Sequence, residues 1–223
     1  MNGALLVSLN ELVAVLFLLT AFLMISARQA QAVLYVYAGQ ALLLTISTAF
    51  LAWRHQSPEL AIVAAITFIA KPVAIPVLVN RLLSPALRQR REVSSTFGTP
   101  LSLTIALVLA VIAYAISRPL VTGQDAIVAV NLSVGLVVTL LGVYLLAIRR
   151  EALPQLLALM AIDNGAFFAG VAITSSSALV EFAAALEGIM VVMIVALLAR
   201  TIALSLGTTE VETMKSLRER GQR

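Results

Sequence analysis

Residues 60–83 read LAIVAAITFIAKPVAIPVLVNRLL. The run is apolar and long enough to cross a bilayer as a helix, which takes about 20 apolar residues. Its middle nevertheless holds FIAKPVAIP, residues 68–76, with Lys71 followed by Pro72 and Pro76. A charge at the bilayer centre costs on the order of 3 kcal/mol even on lenient insertion scales. Pro72 cannot donate to the carbonyl of Phe68, nor Pro76 to that of Pro72, so successive turns lose backbone bonds. Carbonyls freed at this depth need protein or water partners, and a neighbouring ammonium is a natural donor. The motif predicts a helix break at Pro72 and Pro76, an opening for water and a cation at midplane. Simple shaping of the packing is the competing reading.

The rest of the chain is apolar in the same way. Of its 223 residues 61% are hydrophobic and 12% charged, and the mean hydropathy is +1.03. A soluble domain carries about a quarter charged residues. A core cannot absorb this much apolar surface and leave a polar exterior, so lipid is the solvent and a soluble enzyme is excluded. Cysteine is absent and His55 is the single histidine, which removes disulfides, thiolate zinc sites, iron–sulfur ligation and histidine pairs for haem. The chain is expected to hold no metal or cofactor and to perform no catalysis alone; redox chemistry belongs to a partner. No phosphate loop or nucleophile constellation is present. The formal charge of +4 marks one side of a membrane and not a nucleic-acid surface.

Seven apolar runs of spanning length follow one another: 5–26, 31–53, 60–83, 100–117, 126–148, 154–174 and 179–204. The start, MNGALLVSLNE, has no basic stretch before its apolar run, so the first run reads as a span and not as a cleaved leader. With seven spans the two termini lie on opposite sides. The C-terminal side then receives Arg28, Arg81, Arg88, Arg90, Arg91, Arg149, Arg150, Arg200, Lys215, Arg218, Arg220 and Arg223, against Arg54 and Arg118 on the other. Twelve basic residues against two predict an outer N-terminus and a cytoplasmic C-terminus.

Two stretches share an order of polar residues. AVLYVYAGQALLL followed by AITFIAKPVAIPVLVNRLL answers to QLLALMAIDNGAFFAG followed by FAAALEGIMVVMIVALLART. Each pair follows a span ending in arginine, ISAR in one case and AIRR in the other. Aligning Gln40 with Asn164 sets Lys71 opposite Glu187 once a shorter turn is allowed for. Spans 1–3 and 5–7 therefore read as two copies of a three-helix unit. Span 4, with no ionisable group inside it, restores orientation, so the duplication is parallel. The expected organisation is a first unit over 1–83, a basic loop and spacer helix over 84–125, a second unit over 126–204 and a cytoplasmic tail over 205–223.

Depth sorts the remaining polar groups. Lys71, Asp163 and Glu187 fall near the middles of spans 3, 6 and 7, as do Asn164 in span 6 and Gln40 in span 2. Glu11 and Glu181 lie nearer the outer surface, where interfacial solvation explains them. Intramembrane charge is rare and usually functional. Groups in dry sites shift toward neutrality, and groups shifted that way can exchange protons. Lys71, Asp163 and Glu187 are accordingly candidates for a proton route, with Asn164, Gln40 and Glu11 as supporting polar groups. Gln40 and Asn131 fit ordinary interhelical hydrogen bonding. Gly188, beside Glu187, can loosen span 7 or admit a close neighbour. One static ion pair of Lys71 with Asp163 or Glu187 is the competing reading.

The segments IRREALPQLLALMAIDNG, ALEGIMVVMIVALLAR and TTEVETMKSLRERG carry a family resemblance. Over essentially its whole length the chain resembles the membrane component E family of hydrogenase-4 and formate hydrogenlyase complexes. About residues 130–221 are also similar to the K subunit of respiratory complex I and the C subunit of multisubunit sodium/proton antiporters. The resemblance implies a non-redox subunit in the membrane arm of a group 4 nickel–iron hydrogenase-type complex. It would lie in a bacterial or archaeal cytoplasmic membrane beside antiporter-like subunits, moving protons or sodium ions. It places Glu187 at the third-helix glutamate of the K subunit. Asp163 falls on the second helix, about one turn from the expected carboxylate position, which is Met160 here. A structural linker without conduction, an antiporter subunit and an autonomous transporter are the alternatives.

Overall fold

A computed structural model of the chain describes residues 3–82 and 98–173. The elements are α1 (Gly3–Ser26), α2 (Ala30–His55), α3 (Pro58–Phe68), a π-helical segment (Ile69–Ala74) and α4 (Ile75–Leu82). After residue 98 come α5 (Thr99–Ser117), a 3-10 turn (Arg118–Leu120), α6 (Ala126–Ile148) and α7 (Ala152–Ile173). Six stretches among the described residues are long and apolar enough to cross a membrane, Pro58–Arg81 being one continuous stretch through α3, the π-helical segment and α4. This is the architecture of a multi-pass membrane protein. The expected seventh span, 179–204, lies outside the described residues, and with it Glu181, Glu187, Gly188 and the tail.

Local signals set the helix ends. Ser57 stands in extended geometry and its hydroxyl accepts from the Leu60 amide at 3.3 Å, while Pro58 opens the first turn of α3. Proline is favoured there because its missing N–H has no helical partner to lose. Gln56 closes α2 in the left-handed region, φ 51°, with its amide bonded to the Ala52 carbonyl.

The α3–α4 stretch is interrupted as an α-helix at Pro72, over the π-helical segment Ile69–Ala74. Pro72 removes a donor, but the helix widens by one residue per turn instead of opening, and the Ile75 amide bonds to the Ala70 carbonyl. A π turn absorbs a proline by shifting the hydrogen-bond register. Pro76 sits within α4, and the helical course continues past both prolines.

Among the described residues, helices α1, α2, α6 and α7 form the centre, with contacts α1–α2, α1–α6, α2–α7 and α6–α7. The α3–π–α4 stretch flanks α2, and α5 flanks α6. The closest packing joins α6 to α7. A Cβ on Gly135 would stand 2.6 Å from the Ala169 amide nitrogen and the Gly165 carbonyl oxygen. One on Gly165 would stand 2.6 Å from the Thr139 amide nitrogen, and one on Gly142 would stand 2.9 Å from that of Ile162. Small residues let backbones touch where lipid supplies no hydrophobic drive between helices. Phe17 and Phe168 stack across α1 and α7 with ring centroids 4.4 Å apart.

Contacts at the two ends fix how the helices alternate. At one end Arg54, from α2, pairs with Asp125, which precedes α6, at 2.9 Å. At the other, the Arg28 Nε donates to the Thr99 hydroxyl at 3.4 Å. There, too, the Arg149 guanidinium donates to the Met24, Ile25 and Ala27 carbonyls at 3.0, 3.0 and 2.7 Å.

Candidate functional site

Lys71 projects from the π-helical segment and Asp163 from α7. The Lys71 Nζ donates to the Asp163 Oδ2 at 2.7 Å. The lysine side chain is 3% exposed and the aspartate 19%. Phe167, one helical turn beyond Asp163, presents its ring 5.1 Å from the Nζ. The widened turn sets the direction of Lys71, and the glycine-mediated contact with α6 holds α7 in place. An ammonium in this setting is compensated by a carboxylate and by the negative face of an aromatic ring. The asymmetry in exposure matters chemically. Asp163 keeps part of its surface accessible, whereas Lys71 is almost fully enclosed.

The neighbouring α2–α7 contact carries a second polar pair. Fully buried Gln40 and Asn164 meet through one hydrogen bond, from the Asn164 Nδ2 to the Gln40 Oε1 at 3.3 Å. Two carboxamides can exchange two hydrogen bonds; these exchange one, leaving the Gln40 Nε2 and the Asn164 Oδ1 buried without partners among the described residues. A free donor beside a free acceptor is complementary to one water molecule, which accepts from the first and donates to the second.

A third polar group closes on itself. The Asn10 Nδ2 donates to the Asn131 Oδ1 at 2.7 Å, the Asn131 Nδ2 to the Ser47 Oγ at 3.0 Å, and the Ser47 Oγ to the Asn10 Oδ1 at 2.8 Å. All three side chains are buried, and they join α1, α2 and α6. Asn131 is the interhelical residue its sequence position suggested. Asn10 and Ser47 were not singled out by sequence reasoning. The signal for Asn10 was its register: it stands 18 residues before Arg28, as Asn131 stands 18 residues before Arg149.

The other sequence candidates fall apart from this group. Glu11 is exposed, on a different face of α1 from Asn10. Pro72 lies in the π-helical segment beside Lys71, and Pro76 half-buried in α4. Glu187 lies outside the described residues. Met160 is buried in the apolar core, and the carboxylate that meets Lys71 is Asp163.

Arg149, counted in the sequence among the basic residues of one membrane side, is buried in the structure. It is 3% exposed and closes the last carbonyls of α1, which have no partner within that helix. Burial lowers its pKa from the ordinary arginine value and the charge of Glu151 opposes that shift. A guanidinium keeps its proton through such a perturbation. Its role is to tie the α1–α2 end to the α6–α7 end.

No family model matches the chain and no solved structure does. The chain is similar to the uncharacterized protein Rv0085 of Mycobacterium tuberculosis, 22% identical over 202 residues, which covers 90% of this chain and 92% of that protein.

Proposed function

We propose that this chain is a non-redox subunit of a membrane-bound, group 4 hydrogenase-type or formate hydrogenlyase-type complex, and that it moves protons or sodium ions in step with electron transfer elsewhere. The observation that carries the ion-moving part is the Lys71–Asp163 pair, 2.7 Å apart inside a membrane span. The family assignment rests on the resemblance of residues 148–165, 185–200 and 208–221. In this reading the chain spans the membrane seven times, with its N-terminus outside and its C-terminus in the cytoplasm. It is a parallel duplication of spans 1–3 and 5–7. The meeting of Gln40 with Asn164 supports the duplication, because aligned residues touch each other across a two-fold relation.

The chemistry follows from the pair. A proton arriving at Asp163, the less enclosed of the two, neutralises it, and the Lys71 ammonium loses that counter-charge. An ammonium with less counter-charge in hydrocarbon is costly, so Lys71 gives up a proton or turns to another carboxylate. Charge arriving at one group thus drives charge off its neighbour. Glu187, set opposite Lys71 by the repeat, is the proposed next acceptor. The Gln40–Asn164 pair adds hydration at the α2–α7 contact.

The closed Asn10–Ser47–Asn131 triangle and the Arg149 clamp favour a second reading, a linker that joins neighbouring subunits without conducting. The two separate in membranes carrying Asp163→Asn, Lys71→Met or Glu187→Gln, scored for assembly by blue-native electrophoresis and for proton movement per electron. Conduction predicts intact assembly with lost coupling. A linker predicts unchanged coupling wherever the complex assembles.

A further inference from the structure

A groove of about 520 Å³ opens where α5 ends and α6 begins, lined by Tyr114, Arg118, Pro119, Val121, Thr122 and Ser133. It lies at the end of the molecule marked by the Arg54–Asp125 pair, away from the Lys71–Asp163 site. Its volume is in the range of small-molecule sites, about 300–1,000 Å³. Its lining residue Ser133 is backed by Ser117: both are buried, and their hydroxyls meet at 3.0 Å. At the rim stand the Arg118 guanidinium and the Thr122 hydroxyl. The Thr122 hydroxyl can donate to the Arg118 carbonyl at 3.2 Å and still accept from a ligand or rotate toward one. Nothing among the described residues pairs with the Arg118 side chain.

Charge and position together say what fits. Asp125, the nearest acidic residue along the chain, is engaged by Arg54. Glu11 and Glu59 belong to α1 and α3, neither of which lines the groove. Among the described residues the guanidinium is therefore the dominant charge of the groove, and its planar fork matches a phosphate oxygen pair. The groove sits where two spans reach the membrane surface. Below it, α5 is the least buried of the six spans and shows a continuous aliphatic face through Leu107, Val111, Ile112 and Ile116. Tyr114, 55% exposed, lies one turn before the end of α5, and aromatic side chains at span ends favour the headgroup boundary. A phosphate at the rim with chains running along an apolar helix face is the shape of a phospholipid.

We propose that this groove holds the phosphate of an anionic phospholipid, gripped by Arg118 with Thr122 and Ser133, its acyl chains lying along α5. The test is lipid retention by the full chain in native mass spectrometry, using phosphatidylglycerol and phosphatidylcholine as probes and free glycerol phosphate as the soluble arm. The wild-type chain is expected to retain phosphatidylglycerol over phosphatidylcholine. Arg118→Ala should lower that retention about tenfold, while Arg118→Lys keeps part of it as a point charge. Arg28→Ala, at the opposite end of the bundle, should leave it unchanged. Equal retention of the two lipids by the wild-type chain overturns the proposal without reference to any variant. So does equal retention of phosphatidylglycerol by Arg118→Ala and wild type. Arg118-dependent binding of glycerol phosphate without retention of either lipid overturns it in favour of a soluble anion.

Discussion

Lys71 and Asp163 compensate each other, and their value depends on both being present. Removing one partner of a buried pair leaves a charge without compensation and costs about 3–5 kcal/mol. Asp163 is less completely enclosed than Lys71, so Lys71→Met should fall at the low end, about 3 kcal/mol. The double variant Lys71→Met with Asp163→Leu should recover most of that loss, because an apolar pair replaces an ionic one. Thermal unfolding in detergent across the four members of the cycle measures the coupling; additive losses would show that the two side chains do not interact. The same residues show how far sequence carries. A lone lysine in an apolar run announces itself, and so does Asp163, because both break a strong background. Their pairing did not follow from sequence, since Glu187 lay at a similar depth. Asn10, Ser47 and Arg149 stayed hidden for different reasons. Small amides and hydroxyls barely perturb hydropathy, and an arginine at a span end looks the same whether it faces water or caps a neighbouring helix.

Two elements position the site, and each was partly legible. The two prolines marked an irregular span, and the chain interrupts its α-helix with a wider turn at Pro72. The choice depends on whether a neighbouring residue can shift its hydrogen bond, as Ile75 does toward Ala70. The α6–α7 contact is built on Gly135, Gly142 and Gly165, whose spacing in apolar helices hints at close approach without naming the partner. At Gly165 a Cβ would meet the Thr139 amide nitrogen at 2.6 Å, and backbone cannot give way as a flexible side chain can. Gly165→Val should therefore destabilise the chain by about 3 kcal/mol or prevent folding. Gly39→Ala, whose Cβ meets nothing within 4 Å among the described residues, should be neutral or slightly stabilising. Comparable losses from the two substitutions in a thermal shift assay would contradict the packing described for α6 and α7.

At the scale of the molecule, composition alone gave an all-helical membrane protein, and the six spans among the described residues coincide with the first six read from hydropathy. The reason is physical: in lipid a backbone must satisfy itself within a helix, so a long apolar run leaves little choice. Relative placement of the helices is another matter, because apolar surfaces are interchangeable as labels. The proposed orientation can be read directly, since the chain has no cysteine of its own. Gln124→Cys, in the loop before α6, should react with a membrane-impermeant maleimide on intact cells. Gln29→Cys, between α1 and α2, should react only after permeabilisation; the reverse pattern would invert the chain.

The central claim is that the Asp163 carboxylate changes its protonation while the assembled complex works. Infrared difference spectra between resting and turning-over membranes report that change directly, as a carboxylic-acid carbonyl band that shifts in heavy water. The account predicts such a band in the native complex and its disappearance in Asp163→Asn. A complex that turns over with no Asp163-dependent band would contradict it.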